Sequence, residues 1–353
     1  MDYRIIVPLD GSSQATSAVP WADSFAHALA AEVELLYVVS QPRGPGASPH
    51  SVYDDYGDGD VAFGQRALGE GLTLLSDTTP AHTDVRYGTV AEAIVARAQR
   101  WEANLIVMAT RGHSGPPGSL VGSVTARVIR HSHVPVLTVR PGATLVPETP
   151  KRVLIPLDGS DLSRGVLPYV LPIARALHAE IQLYWVKDGQ SNSDALEGIK
   201  ATEAELEAQG FRVHLTVGSG ERGESIVAFA TRNKCGLIAM STHGREGVGR
   251  WTFGSVTEWV IRHSDMPVLA VRPSLMPSST TVAAETMAAQ PQTAERLASV
   301  VLTEAQLRVV RLALEHLGWS ASRHEHLSQD IRGALGAVDA AKEDLVTRAP
   351  VLR

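Results

Sequence analysis

Two short constellations that could hold a phosphorylated ligand each occur twice in the chain. The first is Asp10-Gly-Ser12, which closes the apolar run Arg4-Ile-Ile-Val-Pro8-Leu and returns as Asp158-Gly-Ser160 after Arg152-Val-Leu-Ile-Pro156-Leu. The second is a spaced glycine pattern. Ala109-Thr-Arg-Gly112 is followed after nine residues by Gly122-Ser123-Val124, and Ser241-Thr-His-Gly244 after nine residues by Gly254-Ser255-Val256. Glycines let a backbone come close to a ligand. Ser123 and Ser255 precede the helical pattern Val-Thr-x-x-Val-Ile-Arg, so each is expected to cap a helix. A helix N-terminus presents unpaired N–H groups and the positive end of the helix dipole, which together favour phosphate. The plainer alternative is that Asp and Ser only make turns and caps, with Ser12 or Ser13, and Ser160, capping the helix after the first strand.

The elements that position these motifs follow from the duplication. The strand motif recurs at an offset of 148 residues and the Gly-Ser motif at 132, so the first copy holds 16 extra residues. They are assigned to Ser40–Gly71, rich in Gly, Pro, Asp and Tyr and read as a long mobile loop. Strands are expected at Arg4–Leu9, Glu32–Val39, Thr83–Tyr87, Leu105–Ala109 and Val136–Arg140. Helices are expected at about Ser13–Ala31, Gln65–Asp77, Val90–Trp101 and Ser123–His131. Pro20, matched by Pro168, predicts that the first helix starts late or kinks. Short, continuously apolar strands alternating with helices imply a parallel, doubly wound α/β sheet. Ligands bind such sheets outside the carboxyl ends of the strands, where Asp10 and Asp158 fall. The final strands, Val134–Arg140 and Met266–Arg272, are apolar and would be exposed edges if unpaired. The two copies are therefore expected to pack as a pseudo-symmetric pair.

On these motifs both copies resemble universal stress protein domains, in tandem over about residues 1–273. Nucleotide-binding members of that family carry Gly-x-x-Gly, nine residues, then Gly-Ser or Gly-Thr. The resemblance implies two tandem doubly wound parallel five-stranded sheets of the adenine-nucleotide alpha-hydrolase-like kind. It implies ATP as ligand, with an accompanying magnesium ion left open. The implied binding positions are Pro8, Asp10, Val38, Ala109, Gly112, Gly122, Ser123 and Val124 in the first copy. In the second they are Pro156, Asp158, Val186, Ser241, Gly244, Gly254, Ser255 and Val256. Val38 and Val186 would meet adenine through their backbone. The departure from the pattern is its first glycine, replaced by Ala109 and Ser241. The first spacer also contains Pro116-Pro-Gly118, whereas the second contains Val248-Gly-Arg-Trp-Thr-Phe253, which favours the second site. The domain plan is 1–141, a linker 142–150, a second domain 151–273, a flexible linker 274–292 and a helical extension 293–353.

Composition narrows the function class. The chain has 353 residues, 44% apolar and 20% charged, as in soluble globular proteins. No apolar run reaches the roughly 18 residues of a membrane span, and Met1 leads into a strand without a secretory pattern. Cys235 is the sole cysteine, which excludes an intrachain disulfide and a cysteine metal cluster and suits a cytoplasmic location. The net charge of −6 counts against a nucleic-acid surface. No Gly-x4-Gly-Lys-Ser/Thr loop is present. Ser12 or Ser160 beside His113 or His243 lacks a nucleophile elbow, and those histidines do not align between copies. Arg111 and Arg245 could pair with a polyphosphate or simply be solvated. His131-Ser-His133 and His324-Glu-His326 read as solvated residues rather than metal ligands. In the tail, Thr303-Glu-Ala-Gln306 fits a capping box, and Leu307, Val310, Leu314 and Leu317 repeat at helical spacing. The expectation is an ATP-binding regulatory or stress-response module that forms a homo-oligomer and addresses an unidentified regulatory protein. The alternatives are an interaction module whose degenerate glycine motif holds no nucleotide, and a slow ATP hydrolase.

Overall fold

The computed structural model describes residues 3–40, 58–112, 121–142, 150–187, 193–242 and 254–272. The first half runs β1 (Tyr3–Leu9), α1 (Ser13–Thr16), α2 (Val19–Leu29), β2 (Ala31–Val39), α3 (Asp58–Leu72), β3 (Ala81–Tyr87), α4 (Val90–Arg100), β4 (Leu105–Ala109), α5 (Ser123–His131) and β5 (Val136–Val139). The second half repeats it as β6 (Arg152–Pro156), α6 (Asp161–Arg164), α7 (Leu167–Ala176), β7 (Glu180–Lys187), α8 (Ser193–Ala208), β8 (Val213–Ser219), α9 (Arg222–Arg232), β9 (Leu237–Ser241), α10 (Ser255–His263) and β10 (Val268–Val271). The described elements all fall within a compact unit, Met1–Ser279, and the expected helical extension lies outside the described residues.

Ten strands form one sheet in the order β3-β2-β1-β4-β5-β10-β9-β6-β7-β8. Each half is parallel, and the halves meet where β5 and β10 pair antiparallel, Leu269 opposite Leu137. This is the pairing that two apolar edge strands require. Thr138 Oγ1 donates across the seam to the Val268 carbonyl at 3.1 Å. Alternate strand residues face two helical layers. Ile5 and Val7 join the core that includes Phe25 of α2 and Val170 of α7, while Ile6 joins the one that includes Ile94 of α4 and Ile226 of α9.

The duplication extends to backbone that the sequence does not repeat. The four described non-glycine residues with positive φ fall in two equivalent pairs, Ala30 with His178 and Glu102 with Lys234. Each lies just past a helix, where a left-handed residue ends the turn. The first helix is broken, as Pro20 and Pro168 require. In each half a four-residue helix stops and a second begins with proline in its first turn.

One expectation is corrected. The stretch read as a loop up to Gly71 is helical from Asp58, and that helix ends at Leu72 rather than Asp77; residues 41–57 lie outside the described set. Gly64 and Gly71 weaken the helical signal in sequence, yet both are packing residues. A Cβ at Gly64 would lie 2.5 Å from the Tyr37 ring, and one at Gly71 2.7 Å from Leu9. Tertiary fit outweighs propensity here.

The seam generates a prediction. Leu137 and Leu269 are both fully buried, so Leu269→Ala should cost about 2–5 kcal/mol. Urea unfolding followed by circular dichroism should show both halves losing stability together. A separate, unshifted transition for one half would contradict a shared core.

Candidate functional site

The chemistry-bearing residues gather where β1 and β4 part. These strands pair only at Ile5↔Leu105 and Ile6↔Ile106. Beyond that point each follows its outer neighbour, β1 to Leu9↔Tyr37 and β4 to Ala109↔Val139. The result is a crevice at the position where strand order reverses, the place where open α/β sheets bind ligands. The second half does the same, with β6 and β9 paired only at Val153↔Leu237 and Leu154↔Ile238.

At the crevice the Asp-Gly-Ser turn is built identically twice. Gly11 and Gly159 take φ of +79° and +82°, a conformation that disfavours side chains. Asp10 Oδ1 accepts from the Ser12 amide at 3.0 Å and from Ser12 Oγ at 2.5 Å. Asp158 Oδ1 accepts from Ser160 at 2.9 and 2.6 Å. Ser12 and Ser160 then cap α1 and α6, accepting from Ala15 and Ser163. Part of the plain turn-and-cap reading is therefore correct, with Ser12 rather than Ser13 as the cap. The other oxygen of Asp10 reaches the glycine motif, because a Cβ at Gly112 would lie 2.1 Å from Oδ2. Asp10 and Gly112 are thus brought together across the crevice. Pro8 lies on β1, and Val38 on β2, beside it. Burial, then the carboxylates of Asp60 and Asp10, push the Tyr37 phenol above its ordinary pKa.

The Gly-Ser turn is pinned to the end of β4. The Gly122 amide donates to Thr110 O at 2.7 Å, and Thr125 Oγ1 donates to Ala109 O at 3.0 Å. Gly254 and Thr257 repeat this against Thr242 and Ser241, at 2.9 Å each. Ala109 and Ser241, which replace the motif's first glycine, are 5% and 6% exposed. Their small side chains are absorbed into the fold. The expected capping role of Ser123 and Ser255 is corrected. Gly122 and Gly254 occupy the N-cap, the serines begin the helix, and no side chain caps either end. A side chain at Gly254 would clash with the Thr242 carbonyl, a Cβ lying 2.6 Å from it, whereas one at Gly122 would lie 3.4 Å from the Thr110 carbonyl, an ordinary contact. Gly244 and both nine-residue spacers, apart from Val121, lie outside the described residues.

A cleft of about 290 Å³ opens against this helix end in the first half, near the small end of ligand pockets (roughly 300–1,000 Å³). Ser123, Val124 and Arg127 of α5 form one wall. Ser40 and the turn Gly88–Ala91 form the other. Apart from Ser123 and Val124, these residues escape the motif reading. Their signal was present: Gly88 and Gly220, both with positive φ, precede the repeated Ile94-Val-Ala and Ile226-Val-Ala.

The wall formed by α4 is fixed from beneath by charge. Arg97 Nε donates to Glu34 Oε1 at 2.8 Å and lies 2.9 Å from Asp84 Oδ2, and Glu34 is fully buried. The hydrogen bond to Glu34 holds the Arg97 guanidinium above its ordinary pKa, against the opposing effect of burial. His82 Nε2 lies 2.9 Å from the same carboxylate. The second half solves the same problem without charge. Gln182 replaces Glu34 and Phe229 replaces Arg97, with Phe229 stacked on Tyr184 at 4.3 Å. Cys235 is buried, and burial pushes its thiol to about 11, so it is not a neutral-pH nucleophile. Among the described residues no group of three or more His, Cys, Asp or Glu could hold a metal. None of the described helices is long and apolar enough to cross a membrane.

Fold and crevice define a tandem α/β protein whose two mostly parallel halves share one ten-stranded sheet. Comparison with known proteins identifies the family. The model of the universal stress protein family matches residues 2–140 and 149–272, and the chain belongs to that family. A universal stress protein of Methanocaldococcus jannaschii is 30% identical over 139 residues, covering 35% of this chain and 82% of that one. One from Synechocystis is 24% identical over 292 residues, covering 76% and 99%. The crystal structure of a universal stress protein from Archaeoglobus fulgidus superposes with a TM-score of 0.63 at 21% identity, over 77% of this chain and 98% of that one.

Two predictions follow from the packing. Arg97→Ala would leave a buried carboxylate without its main partner, a loss of about 3–5 kcal/mol. The double change Glu34→Gln/Arg97→Phe, which installs the second half's solution, should recover part of it in thermal unfolding. An Arg97→Ala protein as stable as the parent would contradict the cluster's role. At the helix caps, a Cβ at Gly254 would lie 2.6 Å from Thr242 O, but one at Gly122 would lie 3.4 Å from Thr110 O. Gly254→Ala should therefore destabilise by about 1–3 kcal/mol and Gly122→Ala by less. Equal losses by chemical denaturation would refute the difference.

Proposed function

We propose that this chain is an adenine-nucleotide-binding regulatory module, with ATP as the preferred ligand and the crevice between β1 and β4 as its site. The observation that carries the reading is a contrast between helices of one chain. Those that follow the first strand of each half are capped by their own serine, Ser12 or Ser160. Those that follow the glycine motif have glycine at the cap and no side-chain acceptor. The amides of Ser123 and Val124 stand at the cleft, and a polyphosphate is the kind of acceptor they suit. Family membership supports the same assignment.

In the proposed pose the phosphates lie against Gly112, Gly122, Ser123 and Val124. The nucleoside lies toward Pro8, Asp10 and Val38. The equivalent positions in the second half are Pro156, Asp158, Val186, Ser241, Gly244, Gly254, Ser255 and Val256. Binding would alter self-association or the surface offered to a regulatory protein in the cytoplasm, rather than start a chemical step.

The test is isothermal titration of the full chain with ATP. Asp10→Ala removes one charge-assisted hydrogen bond, worth about 1.5–3 kcal/mol, and should weaken affinity roughly ten- to a hundred-fold. Because Asp10 also holds the Ser12 turn, circular dichroism must show that the variant keeps its fold. Unchanged affinity in a folded variant would move the site elsewhere. Absence of adenine nucleotide binding by the parent would favour the interaction-module reading.

A further inference from the structure

We propose that only the first half binds nucleotide, because Trp259 fills the second half's counterpart of the cleft. The inference rests on the nucleotide reading above and adds its stoichiometry. In the first half the facing residues across the cleft include Ala91 on α4 and Arg127 on α5. At the repeat offset of 132 these become Gly223 on α9 and Trp259 on α10. The indole lies directly on the glycine. A Cβ at Gly223 would be 2.7 Å from Cε3 and 2.8 Å from Cδ2 of Trp259. The glycine and the tryptophan fit one another, as a packed contact would and an open cleft would not.

The ring has a second contact, an aromatic one. His263 stacks on it with centroids 4.1 Å apart and planes 23° from parallel. His263 is itself held one helical turn on, its Nδ1 2.8 Å from the Trp259 carbonyl. Trp259 also packs, with Val227 and Val256, against the buried core that contains Phe229 and Val260. Displacing an aromatic side chain so placed forfeits a large buried apolar area. Arg127 behaves differently. Its side chain is 46% exposed and its Nη1 lies 3.9 Å from Glu92 on α4, at the rim.

Charge points the same way. Glu92 recurs as Glu224, but the cation near it in the first half, Arg127, has no counterpart at Trp259. Glu221 and Arg222, which replace Thr89 and Val90, cancel one another. Ser40 is replaced by Asp188, so over the cleft-lining positions the second half is two charges more negative, which disfavours a polyanion. This reverses the preference that the Pro116-Pro-Gly118 spacer suggests.

Titration calorimetry of the full chain with ATP decides the matter. The parent should bind one ATP per chain. Trp259→Ala should raise the stoichiometry to two. If that variant does not fold, Gly223→Ala/Trp259→Arg, which copies the first half's wall, should do the same. The transplant Ala91→Gly/Arg127→Trp should abolish binding at the first half and leave none. Two ATP per parent chain, or one ATP with either opened variant, overturns the proposed role of Trp259 while the nucleotide reading stands. No heat with ATP from any folded variant overturns the nucleotide reading and this inference with it.

Discussion

β1 and β4 share a ladder only as far as Ile6 and Ile106, and every residue of the proposed site is placed by that short pairing. Had the strands stayed together to Leu9 and Ala109, no gap would exist at their carboxyl ends. Because they part, Asp10 and Gly112 come into contact from two strand ends. Thr110 and Ala109 can then receive Gly122 and Thr125 and anchor the turn that starts α5. The helix end is held by backbone and a threonine hydroxyl rather than by a capping serine. That leaves its first amides to whatever occupies the cleft.

The duplication provides a control within one molecule. Features that both halves keep are those the crevice geometry needs: the strand-one Asp, the left-handed glycine after it, the glycine N-cap and the threonine that binds back to the last residue of β4 or β9. Features that differ lie around it. Beneath α4 the first half uses a buried carboxylate and a guanidinium, and the second uses Gln182, Phe229 and Tyr184. Burying a charge pair is often no more stabilising than well-packed apolar residues of similar volume. Either arrangement can seat the helix, so the two halves could diverge there without losing the fold. Divergence between Arg127 and Trp259 reaches the cleft itself.

Much of this was legible in the residues. Strand positions followed from short apolar runs, and the seam followed from the apolar character of both final strands. The helix break followed from Pro20 and Pro168. What escaped was set by tertiary contact. The start of α3 at Asp58 was hidden by glycines that exist to admit Tyr37 and Leu9. Capping by Ser123 and Ser255 was the natural reading of a serine before a helical pattern. The Thr242 carbonyl leaves no room for a side chain at Gly254, and in both halves glycine takes the cap and the serine stands one place into the helix. The wall at Gly88–Ala91 was missed because its residues, unlike the Gly-Ser motif, differ between copies except for the glycine.

Amide hydrogen exchange on the full chain, with and without saturating ATP, tests the central claim most directly. The account predicts slowed exchange at residues 88–91 and 122–125, where the cleft's two walls converge. It predicts no change at 220–223 and 254–257 beneath the Trp259 indole. Protection confined to the second half, or spread evenly over the sheet with none at the first cleft, would contradict it.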